Sequence, residues 1–256
     1  MQASLTIQND MNKLYTYIPH NTQGKDYICA DIHGHFSLLE SIMKRTGFNK
    51  NTDRLFSLGD LIDRGPESDL ALEWLNQEWF YAIQGNHERM LINAVEQQSE
   101  NLMMQWLAWG GAWAEELSPT TFDEFYARLS QLPVTMELEL ANGKRVGLVH
   151  AELPDICDWN DVKQTLHDCP RADIEKNLFV SDMLWYKSQP YRSPEENHEK
   201  VQSVRNIDHV FHGHTIIDFY LTITNRTFMD LGSYLNDDIG FIEPLSFLTS
   251  NTANSK

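Results

Sequence analysis

The chain has 256 residues, 41% of them apolar, which is enough for one substantial hydrophobic core in a single domain. Its formal net charge of −17 repels phosphate backbones and anionic lipids, so we expect neither nucleic acid nor membrane as a partner. An anionic substrate would need a local positive site, made by metal ions or by a few arginines.

Targeting and redox features favour a cytoplasmic location. Residues 1–13 contain no apolar block of the signal-peptide kind, and no apolar run approaches the roughly 20 residues that span a bilayer. Cys29, Cys157 and Cys169 are odd in number and form no C-x-x-C pair, which indicates free thiols rather than disulfides or a thiolate zinc site.

Strand and helix patterns alternate along the first hundred residues. Short apolar runs predict strands, and each run is followed by helical apolar spacing. This β-α-β-α-β-α order predicts a layered α/β core. The predicted strands are 26–30, 53–60 and 79–86, and the predicted helices are 36–48, 67–77 and 87–98.

The remaining chain is more varied. Residues 100–131 have a wholly helical pattern and form a predicted insertion, and 134–151 predict two strands joined by an Asn-Gly turn. Residues 186–200 are polar and broken by prolines, which predicts a loop. The last third predicts short strands at HVFHGHT, FYLTIT, RTFMDLG and FIEPLSFL. We expect one domain over 1–248 and a disordered tail over 249–256.

Unusual polar residues follow the predicted strands. Ligands gather at the carboxyl ends of strands in α/β sheets, so residues at these positions are candidates for chemistry. Carboxylate, imidazole and amide oxygen together suit Mn, Fe or Zn. Six such ligands that share a carboxylate would fit two metals about 3.5–4 Å apart, as in phosphoryl displacement. The candidates are Asp31, His33, Asp60, Asn86, His87, His150 and His214.

These residues lie in five motifs that resemble a known family. DIHGH (31–35), GDLIDRGPES (59–68), GNHE (85–88), VHAE (149–152) and HGHT (212–215) are similar, in order and approximate spacing, to the phosphoprotein phosphatase family of metallophosphoesterases. The bacteriophage-lambda-type bacterial branch is most alike. The likeness runs from about residue 26 to 235 and includes WLAWGGAW (106–113) and FMDLGS (228–233). It implies a calcineurin-like β-sandwich flanked by helices, with a dinuclear metal site at the strand ends.

The resemblance also implies a ligand set for two ions, most often Mn, with Fe or Zn as alternatives. Asp31 and His33 would bind the first ion, and Asp60 would bridge both. Asn86, His150 and His214 would bind the second.

The implied reaction is removal of phosphate from phosphoserine or phosphothreonine in a protein, with phosphotyrosine left open. A hydroxide that bridges the metals would attack phosphorus, and His87 would protonate the departing oxygen. Asp63 would orient His87, while Arg64 and Asn86 would bind the phosphoryl oxygens. We interpret Glu88 as a first-turn helix carboxylate.

One position departs from the lambda-type pattern. Where those relatives have an arginine in a W-x-R segment, this chain has Trp185-Tyr186-Lys187. Lysine supplies charge without a planar fork. We hypothesise that Lys187 or Arg192 makes the second positive contact with phosphate.

Two other functions stay open. A symmetric dinucleoside-polyphosphate hydrolase has nearly the same metal motifs, but typically GDLVARGP and GNHD, so Asp63 and GNHE favour the phosphomonoesterase. An inactive metal-binding scaffold is also conceivable, although the combination of His87, Asp63 and Arg64 argues against it.

Overall fold

The computed structural model describes residues 14–253 and contains ten strands and ten α-helices within that range. The strands are β1 (Tyr15–Ile18), β2 (Asp26–Cys29), β3 (Arg54–Ser57), β4 (Phe80–Ala82), β5 (Thr135–Glu139), β6 (Arg145–Val149), β7 (His209–His212), β8 (Leu221–Ile223), β9 (Arg226–Phe228) and β10 (Phe241–Ile242). The helices are α1 (Phe36–Thr46), α2 (Ala71–Leu75), α3 (Asn86–Glu96), α4 (Glu100–Ala108), α5 (Pro119–Leu129), α6 (Trp159–Asp168), α7 (Leu178–Trp185), α8 (Pro194–Lys200), α9 (Ser233–Asn236) and α10 (Pro244–Ala253).

The strands form two sheets. The smaller has the order β10-β2-β3-β4, in which β2, β3 and β4 are parallel and β10 is antiparallel to β2. The larger has the order β1-β5-β6-β7-β9-β8, and the predicted Asn-Gly hairpin is its antiparallel pair β5 and β6. Strands β6, β7 and β9 run parallel to one another.

Alternating side chains on the small sheet build two different cores. Ile28 and Phe56 lie in the cluster shared with the large sheet, whereas Tyr27 and Leu55 lie in the cluster that includes helix α1. This follows from the two-residue repeat of a strand. Each fully buried side chain of this size contributes about 1.5–3 kcal/mol. Helices pack in the same way around Val149 of the large sheet, so the fold is the predicted sandwich flanked by helices.

Strand register brings the predicted motifs together. Ile28 pairs with Phe56 across β2 and β3, and Phe56 pairs with Tyr81 of β4, so these parallel strands end side by side. In the other sheet, Val149 pairs with His212 at the ends of β6 and β7. The five motifs begin at these strand ends or within three residues of them, which places them at one edge of the sandwich.

Two predictions about irregular segments were wrong in part. The expected loop at 186–200 contains helix α8, which begins at Pro194 behind a capping box formed by Ser193 and Glu196. Proline at the first helical position is favourable because its missing N–H has no helical partner there. The proline that we interpreted as a sign of a loop therefore marks the first residue of a helix.

The second difference concerns the C-terminal region. Helix α10 continues to Ala253, so it includes part of the predicted tail, and residues 254–256 lie outside the described residues. The Glu243 carboxylate accepts the backbone N–H groups of Leu245 and Ser246 at its start. This first-turn cap favours a helix where we predicted only a strand. Strand β1, which pairs parallel with β5, was not predicted.

The predicted thiol state is confirmed. Cys29, Cys157 and Cys169 are all buried and unbridged. No helix in residues 14–253 combines the length and the apolar character needed to cross a membrane.

The buried His209 makes stability depend on pH. Burial lowers its pKa to about 4, below the unfolded value of about 6.5. The folded state therefore binds fewer protons, and stability that is complete above about pH 6.5 is lost as the pH falls towards 4. We expect a loss on the order of 2–3 kcal/mol from this group over that window.

Urea unfolding at a series of pH values tests this expectation. His209→Phe should flatten the loss of stability at acid pH, because it removes the titratable group. The Thr227 hydroxyl keeps its hydrogen bond with Thr222 at 2.8 Å, so the change does not leave that hydroxyl unpaired. His167→Gln, at a strongly exposed position, is the matched control. Equal pH dependence in wild type and His209→Phe would contradict the prediction.

Candidate metal centre

The candidate site has an unusual backbone. Five of its non-glycine residues have positive φ angles in the left-handed region. Side chains disfavour this region, so each such residue costs about 1–3 kcal/mol and persists only where its surroundings hold it there. The residues are His33 (45°), Asp60 (47°), Asp63 (74°), Arg64 (70°) and His214 (62°).

Two glycines allow the loops after β3 and β4 to touch. Gly59 has φ of 101°, and a Cβ there would lie 2.6 Å from the backbone nitrogen of Gly85. A Cβ on Gly85 would in turn collide with Asp60 Oδ1. Because both positions lack side chains, the backbone N–H of His87 can donate to Asp60 Oδ1 at 2.9 Å. The glycine before Asp60 bends the chain out of the strand, as predicted.

Asp60 lies between two groups of possible metal ligands. Among the described residues, His33, Asp60 and His87 form one group with ligand atoms within 4.8 Å of each other, and Asp60, His150 and His214 form another. Asp60 Oδ2 is 3.4 Å from His33 Nε2, and Asp60 Oδ1 is 3.5 Å from His150 Nε2. One buried carboxylate thus faces the two groups with different oxygens, which is the geometry of a bridging ligand.

Hydrogen bonds to backbone carbonyls orient the imidazoles. His33 Nδ1 lies 3.1 Å from the carbonyl oxygen of Ile62, and His150 Nδ1 lies 2.8 Å from that of Leu58. A carbonyl only accepts, so Nδ1 carries the proton and the Nε2 lone pair faces the site. His214 has the reverse arrangement, because its Nε2 lies 3.2 Å from the Trp185 carbonyl and Nδ1 stays available.

The residues fit a pair of divalent ions. Burial lowers the pKa of His33 and of His214 to about 3, so both imidazoles are neutral at pH 7 and could each donate a lone pair to a metal ion. Asn86 Oδ1 lies 2.9 Å from His150 Nε2, which has no proton to share. Two lone pairs this close repel each other unless a cation lies beside them. Carboxylate, imidazole and amide oxygen are also the donor set that Mn, Fe and Zn accept.

Asp31 adds negative charge to the same place. Its two oxygens accept the backbone N–H of His214 at 3.0 and 3.1 Å. Burial, with the charges of Asp230 and Asp60, raises the pKa of Asp31 well above its ordinary value. Carboxylates buried near one another need cations. The sequence analysis did not select Asp230. It lies two residues beyond strand β9, so the expectation that ligands gather at the carboxyl ends of strands would have selected it.

His87 and Asp63 form a buried pair. His87 Nδ1 lies 2.7 Å from Asp63 Oδ2, and His87 Nε2 is buried with no hydrogen-bond partner in the described part of the chain. Burial alone would lower the pKa of His87, but the carboxylates of Asp60 and Asp63 outweigh it and raise the pKa. The imidazole therefore has one nitrogen fixed and the other free to exchange a proton inside the site.

Arg64 lies at the open side of the centre. Its Nη1 is 3.1 Å from His33 Nε2, and its guanidinium carbon is 4.4 Å from the ring centroid of Tyr234. Stacking on an aromatic face leaves the edge of the guanidinium available for an anion. Tyr234, which also meets the His33 ring edge to face, was not singled out in the sequence.

Lys187 and Arg192 have different surroundings. The exposed Lys187 lies close enough for its charge to contribute to the lowered pKa of His214. The next residue, Ser188, donates its backbone N–H to Glu152, two residues after the ligand candidate His150. Arg192 Nη1 is instead paired with Asp155 at 2.7 Å, and its Nη2 donates to Ser188 Oγ. Lys187 is thus the freer cation beside the centre.

Glu88 does more than occupy a first helical turn. Its carboxylate is fully buried and accepts backbone N–H groups from Gly85, Asp60, Leu61 and Ile62 at 2.8, 2.9, 2.8 and 3.3 Å. Burial and the charge of Asp60 raise the pKa of Glu88, and the N–H donors oppose that rise. Glu88 therefore holds the loop that carries Asp60 against the start of helix α3.

Glu88→Gln should lower the free energy of unfolding by about 1–3 kcal/mol, because an amide group would turn N–H groups towards backbone donors. Chemical unfolding of the metal-free protein measures this change. The exposed Glu124→Gln is the control, with an expected change within about 0.5 kcal/mol. Equal stabilities for the two variants would show that Glu88 does not organise the loop.

Comparisons with known proteins identify the family of this chain. The family model for calcineurin-like phosphoesterases matches residues 27–218. The serine/threonine-protein phosphatase 2 of Salmonella typhimurium is 30% identical over 220 residues, which cover 85% of this chain and 91% of that protein. The symmetrical bis(5'-nucleosyl)-tetraphosphatase of Delftia acidovorans is 29% identical over 49% of this chain and 43% of its own length.

A solved structure supports the fold independently. A protein serine/threonine phosphatase from Saccharomyces cerevisiae aligns with a TM-score of 0.56 and 17% sequence identity, over 87% of this chain and 72% of that one. At this identity the likeness concerns the fold alone. It agrees with the layered sandwich described above.

Proposed function

Because this chain belongs to the calcineurin-like phosphoesterase family, we propose that it is a phosphatase for protein phosphoserine and phosphothreonine. The observation that carries the proposal is the buried pair of His87 and Asp63 beside Asp60, with His87 Nε2 free to exchange a proton. A serine or threonine oxygen is a poor leaving group as an alkoxide, so its departure needs a proton donor.

We propose that two divalent ions, most often manganese, occupy the centre. Asp60 would contact both, with Asp31 and His33 on one side. When bound, such ions neutralise the buried carboxylates and lower the pKa of water, which supplies the nucleophile. Asn86, His150 and His214 would complete the second site. The donor set supports this assignment without selecting manganese over iron or zinc.

The chain's own residues supply positioning and proton transfer. Arg64 would bind phosphoryl oxygens through its exposed edge, and its contacts would strengthen as charge grows on them. His87 would hold a proton at Nε2 and pass it to the departing oxygen. Asp63 would keep the other nitrogen protonated and stabilise the imidazolium before transfer.

A dinucleotide substrate is the main alternative. The Delftia acidovorans relative has that activity in its name, but it aligns with only 49% of this chain. The pairing of Asp63 with His87 suits an alkoxide leaving group, whereas a nucleotide leaves as a phosphate that needs less protonation. We therefore favour the phosphomonoester.

The proposal is tested by offering two substrates, a phosphoserine peptide and diadenosine tetraphosphate, to the same protein. The protein is first stripped of metal and then resupplied with manganese. We expect phosphate release from the peptide and no cleavage of the dinucleotide. Cleavage of the dinucleotide alone would overturn the proposal, and inactivity on both substrates would favour the scaffold. A phosphotyrosine peptide in the same assay shows whether the protein also hydrolyses phosphotyrosine.

Lys187 should assist phosphate binding more than Arg192. We expect Lys187→Ala to raise KM for the phosphopeptide about tenfold, the effect of one lost charge-assisted contact. Arg192→Ala should leave KM within about twofold, since its guanidinium is engaged by Asp155. Steady-state kinetics at fixed manganese measures both. If neither variant raises KM, no second positive contact comes from this segment.

We propose a phosphoprotein partner and a cytoplasmic location. The net charge of −17 disfavours strongly acidic sequences around the phosphoresidue. The three free buried thiols suit a reducing compartment.

A further inference from the structure

The segment WLAWGGAW (106–113) packs against the loop that carries Asp63 and Arg64. It spans the end of helix α4 and the start of the 3₁₀ helix Gly111–Glu116. The carbonyl of Gly110 accepts the backbone N–H of Arg64 at 3.2 Å. A Cβ on Gly111 would lie 2.5 Å from the Trp106 ring. Only a glycine therefore allows this turn to pack against the indole.

Two indoles of this segment donate to the same carboxylate. Trp106 Nε1 lies 2.8 Å from Asp63 Oδ2, and Trp113 Nε1 lies 2.8 Å from Asp63 Oδ1. Oδ2 also faces His87 Nδ1 at 2.7 Å. An indole N–H can only donate, so both oxygens of Asp63 act as acceptors. The carboxylate cannot rotate without breaking one of these bonds.

Separate contacts hold the backbone and the side chain of Asp63. Asp63 and Arg64 are consecutive left-handed residues, with φ of 74° and 70°. The Asp63 N–H donates to Ser68 Oγ at 2.9 Å, which anchors the main chain but not the carboxylate. The two indoles anchor the side chain instead. Trp106 is fully buried, and Trp113 packs against Phe125 with ring centroids 5.0 Å apart.

We propose that Trp106 and Trp113 are positioning residues for proton delivery. They hold Asp63 in the rotamer that keeps His87 Nδ1 bonded and directs His87 Nε2 towards the leaving oxygen. This inference rests on the proposed phosphatase function. The indoles exchange no proton themselves; the proton passes from His87 Nε2 to the oxygen as the phosphorus–oxygen bond breaks.

A packing role alone makes a different prediction. Phenylalanine keeps an aromatic ring at the position but lacks both the N–H donor and the second ring of tryptophan, so each variant also loses some packing. If the indoles merely fill the core, Trp→Phe changes lower stability without selecting among substrates. If they position the acid, the loss depends on how strongly the leaving group needs a proton.

The test compares Trp106→Phe and Trp113→Phe on a phosphoserine peptide and on 4-nitrophenyl phosphate, with the manganese-loaded protein. We expect kcat on the peptide to fall about tenfold for each variant, and kcat on the aryl phosphate to stay within about twofold. KM and bound manganese should not change. Trp109→Phe is the matched control from the same segment, because Trp109 is 50% exposed and the Asp63 carboxylate is bonded to Trp106 and Trp113 instead.

Equal losses on both substrates, or no loss on either, would overturn the inference. Thermal unfolding of each variant separates instability from misorientation, and Trp113→Phe decides the question if the fully buried Trp106 position does not tolerate change. Wild-type protein is measured first. If it does not hydrolyse the peptide, the proposed function fails; if it does and the variants keep its substrate ratio, only the positioning role fails.

Discussion

His87→Asn should reduce kcat on a phosphoserine peptide by about 10²–10⁴-fold, the usual contribution of a positioned general acid. The same change should cost far less on 4-nitrophenyl phosphate, whose leaving group departs readily without a proton. The prediction rests on the free, buried Nε2 of His87 and on the Asp63 contact at its other nitrogen. Steady-state kinetics on both substrates with manganese-loaded protein measures the ratio.

Asparagine is a suitable replacement because its amide can still contact Asp63. The exposed His198→Asn is the control and should retain wild-type rates on both substrates. Equal losses on peptide and aryl phosphate in His87→Asn would remove His87 from the acid role. Such a result would point instead to disturbance of the adjacent Asn86.

Asp60→Asn should remove both metal ions together. Asp60 belongs to both ligand groups and faces them with different oxygens, 3.4 Å from His33 Nε2 and 3.5 Å from His150 Nε2. An amide offers one oxygen and no charge, so neither ion would keep its shared carboxylate. We expect activity on every substrate to fall by at least about a hundredfold, since the metals serve all of them.

Elemental analysis after dialysis against a defined manganese concentration measures the loss. Asp69→Asn, a change of one charge at an exposed position, is the control. This variant should retain both metal ions. Loss of one ion with retention of the other would show that Asp60 does not bridge. Retention of both would place the bridging ligand elsewhere.

Local sequence patterns were sufficient to predict the strands that precede the candidate site residues. The strands that end before Asp31, Asp60 and Asn86 could be predicted because their apolar runs are shorter than a typical helix and contain aromatic or β-branched residues. The hairpin before His150 could be predicted because an Asn-Gly turn strongly favours that geometry. Helix starts at Pro194 and Pro244 were missed, since proline also marks loops.

The candidate ligands were found because strand ends meet at one edge of a sandwich. This argument needs only the order of strands and helices along the chain, and it selected candidate ligands as far apart in sequence as Asp31 and His214. Their assignment to one ion or the other came from the family resemblance. The ligand groups around Asp60 agree with a shared carboxylate, and the individual ligand roles stay predictions.

The hydrogen-bond partners of the candidate catalytic residues were decided by tertiary structure. The sequence by itself determined that His87 and Asp63 were candidates, but not that two indoles more than 40 positions further on donate to Asp63. Nor did it indicate that Glu88 holds the Asp60 loop, or that Asp155 engages Arg192. The physical reason is that apolar periodicity reports which face of an element is buried, whereas a hydrogen bond depends on ångström-scale distances between distant segments.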